Sequence, residues 1–131
     1  MIFNHIGIIV KDISKFEKKF KKYLKLTSFG KIISDKKIGV KLRFFKDKNG
    51  IKYELIEPIS KKNPLNNILK KKLNSIHHIA YKVKNFEKEC LRFRNEGFGF
   101  LTKPLKAKAF KNKNVIFLIS KENFIIELIE S

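Results

Sequence analysis

The chain has 131 residues, enough for one compact domain that buries roughly two-thirds of its unfolded surface. Its net charge is +19, yet only Arg43, Arg92 and Arg94 of its 31 basic residues are arginine. Base readout leans on arginine and the lysines are scattered over every segment, so a nucleic-acid partner is set aside. No apolar run is long enough for a bilayer, no charged-then-apolar leader precedes the first strand, and the lone Cys90 excludes an internal disulfide. The expectation is a soluble cytoplasmic protein without a membrane partner.

Residues 2–10 alternate as a strand, with Ile6, Ile8 and Val10 on one face and His5, Gly7 and Ile9 on the other. Asp12 or Ser14 can cap a helix over 13–24, whose inward stripe is Ile13, Phe16, Phe20, Tyr23 and Leu24. Strands are predicted over 27–33 and 39–45, joined by a polar turn at 35–37. Asp47-Lys48-Asn49-Gly50 is a hairpin turn because Asn-Gly accepts positive φ, and a strand over 51–57 ends at Pro58. Residues 60–74 form a connector in which Pro64 starts a short helix over 65–73. Next come a strand over 76–83, a helix over about 85–96 (Phe86, Cys90, Leu91 and Phe93 inward) and Gly97 as its stop. A strand over 98–102, a loose basic stretch at 103–113 and strands over 114–120 and 124–130 complete the chain. Cys90 is expected to be buried on its helix and inert.

The order of elements repeats, and so do the residues. Adding 73 to a position in the first half lands on its counterpart in the second: His5-Ile6-Gly7 on His78-Ile79-Ala80, Phe20 on Phe93, Leu42-Arg43-Phe44-Phe45 on Val115-Ile116-Phe117-Leu118, and Tyr53-Glu54-Leu55 on Ile126-Glu127-Leu128. The His-to-Glu separation is 54 − 5 = 49 in one half and 127 − 78 = 49 in the other. A repeat this long is a duplicated module rather than a solenoid unit. The expected fold is α+β: two tandem βαβββ modules forming a curved mixed sheet around a central cavity. It is a single domain with module one at 1–58, a connector at 59–75 and module two at 76–131.

Strand alternation puts His5 opposite Ile6 and Ile8, and Glu54 opposite Tyr53 and Leu55. If the apolar residues pack under the helix, His5 and Glu54 share the other face, as do His78 and Glu127. Curved sheets related by a pseudo-twofold would bring the four together. A carboxylate buried alone is costly, and two carboxylates with two imidazoles are accounted for by one divalent cation. The candidate metal ligands are therefore His5, Glu54, His78 and Glu127, suited to Co²⁺, Ni²⁺, Mn²⁺ or Zn²⁺. His77 points to the opposite face from His78 and is assigned a structural or supporting place.

The stretches "HIGIIVKDISKFEKKF", "YELIEPISKKNPLNNILKK", "SIHHIAYKV" and "FIIELIE" resemble the vicinal oxygen chelate superfamily over nearly the whole chain. The resemblance is nearest to the methylmalonyl-CoA epimerase branch. It implies paired βαβββ modules around a divalent metal held by His5, Glu54, His78 and Glu127, and an isomerase or epimerase that removes a proton beside a metal-bound carbonyl. Glu127 is the first candidate base and Glu54 the second, while Lys41 or Arg43, if turned inward, could bind a substrate carboxylate or phosphate. The implied partner is an anionic or thioester-linked small molecule, with a homodimer one assembly open to it. The chain departs from the branch at the third strand, where Val40, Lys41 and Leu42 stand in place of an acid/base glutamate. It also departs at Lys106–Lys111, which replaces a glycine-rich stretch, and at the short turn 120–123. A glyoxalase I-like lyase, needing one strong base, is the main alternative. A non-catalytic binding or resistance protein and a lysine-rich scaffold are others, both disfavoured by the intact ligand set.

Overall fold

The computed structural model describes residues 1–131, the side chains of Ser28 and Phe29 excepted. Among the described residues the chain forms nine strands, three α-helices and one 3-10 turn. They are β1 (Ile2–Ile9), α1 (Ile13–Leu24), β2 (Thr27–Asp35), β3 (Val40–Lys46), β4 (Lys52–Pro58), α2 (Leu65–Lys71), β5 (Ser75–Val83), α3 (Phe86–Asn95), β6 (Gly99–Phe100), β7 (Leu105–Ala107), the 3-10 turn Lys108–Phe110, β8 (Lys113–Ile119) and β9 (Ile125–Glu130). The fold is mixed α+β. Among the described residues no helix is long and apolar enough to cross a membrane.

The chain divides into two compact units, His5–His77 and Met1–Asn4 with His78–Ser131. In the first, the strand order is β2-β3-β4-β1, with β1 and β4 parallel and the other pairs antiparallel. In the second it is β5-β9-β8-β6, with β5 and β9 parallel and β7 also paired to β8. Each sheet is therefore mixed, because a helix returns the chain to lie parallel with the opening strand while tight turns join the rest antiparallel.

Each unit buries one face of its sheet under its helix. In the first, Ile8, Val10, Phe45 and Leu55 pack with Ile13, Phe20 and Leu26, and Ile6 and Tyr53 join them. In the second, Val83, Ile116, Leu118, Ile126 and Leu128 pack with Phe86 and Phe93. The expected facing of Ile6, Ile8, Tyr53 and Leu55 toward the helix is what the first core shows.

Local chemistry explains why the elements start and stop where they do. The Asp12 side chain accepts from the Lys15 N–H at 3.0 Å, and Asn85 accepts from Lys88 N–H at 3.1 Å, capping α1 and α3 at positions 73 apart. The β3–β4 turn is built on the Asp47 carboxylate, which accepts from the N–H groups of Asn49 and Ile51. The β8–β9 turn uses the Ser120 hydroxyl in the same way toward Glu122 and Phe124. Gly50 and Asn123, again 73 apart, hold the positive φ these turns need, +82° and +65°.

Three expectations shift. Tyr23, Leu24 and Leu91 are exposed rather than inward. At the end of α1, Lys25 takes a left-handed conformation and Leu26 donates its N–H to the Lys21 carbonyl, so Leu26 closes the core in place of Leu24. The stretch 103–113 is less loose than its lysines suggest: Leu105–Ala107 pairs with β8 and buries Ala107. The strand before it shrinks to Gly99–Phe100: Leu101 still donates its N–H to the Phe117 carbonyl, but the Phe117 N–H is taken by the Thr102 hydroxyl instead of a ladder carbonyl.

Candidate functional site

On the face of each sheet away from its helix lies one histidine and one glutamate. In the first unit His5 stands two residues before Gly7, and Gly7 is the register partner of Glu54 on β4. In the second unit His78 stands two residues before Ala80, the register partner of Glu127 on β9. The small residue beside each glutamate leaves room for its carboxylate, and the parallel register carries the histidine alongside. His5 Nε2 lies 3.1 Å from Glu54 Oε2, and His78 Nε2 lies 3.3 Å from Glu127 Oε2. Both pairs are almost fully withdrawn from solvent, at 0% and 5% exposure for His5 and Glu54, and 1% and 3% for His78 and Glu127.

The two glutamates are chemically conspicuous. A carboxylate removed from water costs several kcal/mol unless a charge partner compensates it. Each here faces an imidazole nitrogen, and most of the buried side chains on its sheet face are apolar: Ile9, Val40, Leu42 and Ile56 in the first unit, where Asp35 opposite Val40 is an exception, and Ala80, Val115 and Ile129 in the second. All four residues are of types that bind divalent cations, and all are buried. Two ligand atoms bound to one cation at about 2.1 Å, at angles between square and tetrahedral, lie roughly 3.0–3.4 Å apart. The His–Glu separation within each unit falls in that span, so the spacing of each pair is compatible with both atoms binding one cation.

A further partner is shared by the two pairs and had no role assigned from the sequence. Phe44 is the antiparallel register partner of Glu54, and Phe117 that of Glu127. The Phe44 ring packs almost perpendicular to the His5 ring at 5.6 Å, and the Phe117 ring does the same to His78 at 5.0 Å. The offset of 73 relates these phenylalanines, and that was the signal that could have found them.

Lys41 and Arg43 sit elsewhere. Arg43 is the register partner of Leu55 and Lys41 that of Glu57, which places them on the helix side of β3. The Arg43 guanidinium donates from Nη1 to both carboxylate oxygens of Glu17 on α1, at 3.2 and 3.0 Å, and Lys41 Nζ lies 3.3 Å from Glu57. Neither side chain shares the face of Glu54. The residues of β3 that do are Val40, Leu42 and Phe44, without a carboxylate. His77 is half-buried on the opposite side of β5 from His78. Cys90 packs against the second core, where burial first, and then the nearby Glu87 and Glu89, push its thiol up from the ordinary range.

The repeat, the mixed sheets and the buried pairs point one way, and a family model agrees. Residues 4–117 match the glyoxalase/bleomycin resistance protein/dioxygenase superfamily. The chain belongs to that superfamily. It is the vicinal oxygen chelate group, and its solved structures superpose on nearly all of this chain. A hypothetical protein from Bacillus halodurans is 29% identical, with TM-score 0.83 over 98% of this chain and 93% of that one. A methylmalonyl-CoA epimerase from Mycobacterium tuberculosis is 21% identical, with TM-score 0.81 over 98% and 86%. A methylmalonyl-CoA epimerase variant from Streptomyces coelicolor, in complex with 2-nitronate-propionyl-CoA, is 20% identical, with TM-score 0.82 over 100% and 97%. At that identity the epimerase likenesses establish a vicinal oxygen chelate fold. No curated protein matches the chain in sequence.

Proposed function

We propose that the His5–Glu54 and His78–Glu127 pairs together hold one divalent cation, and that the protein is an isomerase or epimerase removing a proton beside a carbonyl. The observation that carries this reading is the pair of buried carboxylates, each within 3.3 Å of an imidazole nitrogen, at the same separation in two copies of one module. Membership of the vicinal oxygen chelate superfamily supports it. The cation, when bound, supplies a Lewis acid that polarises the carbonyl and lowers the barrier to losing the adjacent proton. Glu127 is the base assigned to take that proton, with Glu54 the second candidate. The apolar side chains on the same sheet faces keep bulk water from competing for it. A thioester-linked substrate is favoured because related structures contain acyl-CoA compounds, and a net charge of +19 attracts anions.

A second reading is favoured by one observation. The face of β3 that carries Leu42 opposite Ile56, and Phe44 opposite Glu54, offers no carboxylate. Epimerisation with separate acid and base needs a second group across the substrate from the first. A glyoxalase-type lyase needs one strong base, and Glu127 alone satisfies it.

Metal analysis tests the cation and isotope exchange tests the chemistry. Wild type should retain about one divalent ion per chain, and His78→Ala should lose it. With methylmalonyl-CoA in D₂O, deuterium should enter the carbon beside the thioester, and Glu127→Gln should slow this at least 100-fold. A wild type that retains no cation under metal-replete purification overturns the proposal.

A further inference from the structure

We infer that Phe44 and Phe117 are positioning residues for the two metal-binding histidines, fixing the imidazole planes so that each Nε2 is presented beside its glutamate. This rests on the cation reading given above. An imidazole turns about its last torsion in a broad well with roughly two-fold preference, so strand geometry alone does not choose the ring plane. A perpendicular aromatic neighbour does, because edge-to-face packing is favoured over other approaches at centroid distances of about 4.5–7 Å. Both histidines have such a neighbour, at 5.6 and 5.0 Å with interplanar angles of 80° and 76°. Both phenylalanines reach it from the strand position directly across from the glutamate.

The internal repeat separates this role from core filling. Along β3 and β8, position 40 pairs Val with Lys, 41 Lys with Asn, 42 Leu with Val, 43 Arg with Ile and 45 Phe with Leu. Only position 44 keeps the same residue in both copies. Phe45 is fully buried in the first core, yet its counterpart is Leu118, so on this pair of strands the helix-side position next to it does not keep its aromatic ring. Phe44 and Phe117 are only half-buried, where a core requirement for an aromatic ring is weakest. What the two positions share is the histidine.

The test is the affinity of the purified apoprotein for Co²⁺, with the visible spectrum of the cobalt form as a report on ligand geometry. Phe44→Leu and Phe117→Leu should each weaken Co²⁺ binding about 10-fold, the lower range for losing a residue that orients a ligand, and alter the cobalt bands. Phe117→Tyr, which keeps the ring, should bind within about threefold of wild type. Phe45→Leu should lower the melting temperature while leaving Co²⁺ affinity unchanged, separating positioning from packing. If a leucine variant does not fold, Phe44→Met and Phe117→Met take its place. Leucine or methionine variants that bind Co²⁺ like wild type, with the same spectrum, overturn the inference and leave the cation proposal standing. Wild type that binds no Co²⁺ overturns both.

Discussion

Glu17 and Arg43 form an ion pair between α1 and β3 with side chains 17% and 23% exposed. Their counterparts 73 residues on are Ile116, buried in the apolar core of the second unit, and Cys90, packed against that core. The same inter-element position is thus filled by charge in one copy and by apolar atoms in the other. A largely buried ion pair returns little over a well-packed apolar pair, whereas losing one partner strands the other. Arg43→Ile alone should therefore destabilise the protein by about 1–2 kcal/mol, and adding Glu17→Cys should recover most of that. Urea melts of the two singles and the double close the cycle; a double no better than the worse single would contradict the argument. Cys90 itself, with its thiol pushed up by burial and two acidic neighbours, should react with iodoacetamide at neutral pH more slowly than a free cysteine.

At the residue scale, the sequence made the His–Glu set legible because period-two alternation and a constant offset are both visible without coordinates. The partners of Lys41 and Arg43 were not legible. Glu17 lies 26 residues from Arg43, and nothing local says that a strand arginine will turn toward a helix glutamate. Phe44 was overlooked for another reason: an aromatic residue on a half-apolar strand reads as core, and only its 73-residue offset from Phe117 sets it apart before its ring is seen against an imidazole.

At the scale of elements, the connector is tied down rather than slack. Asn63 donates from its side-chain amide to the Gly39 carbonyl at 2.9 Å, and its own side-chain oxygen accepts from the Leu65 N–H at 3.0 Å. One side chain thereby clamps the β2–β3 turn and starts α2. Gly39 holds φ +80°, and a Cβ there would approach the Asn63 amide nitrogen to 3.1 Å. Gly39→Ala should cost about 2 kcal/mol, from the left-handed backbone and the displaced clamp together. Gly50, at φ +82° but with open space around it, is the internal comparison. Gly50→Asn should be near neutral, since Asn123 already occupies the equivalent turn at φ +65°. Thermal melts of the two variants check the contrast. Element ends were the least legible part of the chain: Tyr23, Leu24 and Leu91 follow helical spacing, but spacing does not show where a helix runs past the sheet that would cover it.

For the molecule as a whole, a cation bound only by the folded chain adds stability in proportion to the logarithm of its concentration. At 100 times its dissociation constant the gain is about 2.7 kcal/mol, enough to raise the melting temperature of a protein this size by roughly 10 °C. The rise should appear with Co²⁺ or Ni²⁺, vanish on chelation, and be absent in a Glu54→Ala, Glu127→Ala double variant. A wild type whose melting is indifferent to every divalent ion tried would count against the cation. The α+β class was legible because two periodicities alternate in one repeated order. What escaped was β7, whose lysines mask a short alternation.

One feature of β1 bears on how such a chain could be taken apart. Met1–Asn4 group with the C-terminal unit, while His5 and the residues after it group with the other. Phe3 packs against Tyr81 with centroids 6.1 Å apart, and Met1 Sδ lies 3.1 Å from an Arg92 nitrogen. A gene cut at the 73-residue boundary would give two fragments of equal plan but unequal completeness. The C-terminal fragment would lack four residues that only the other half encodes. Expressed separately, it should be the poorer folder, and grafting residues 1–4 onto it should improve its solubility.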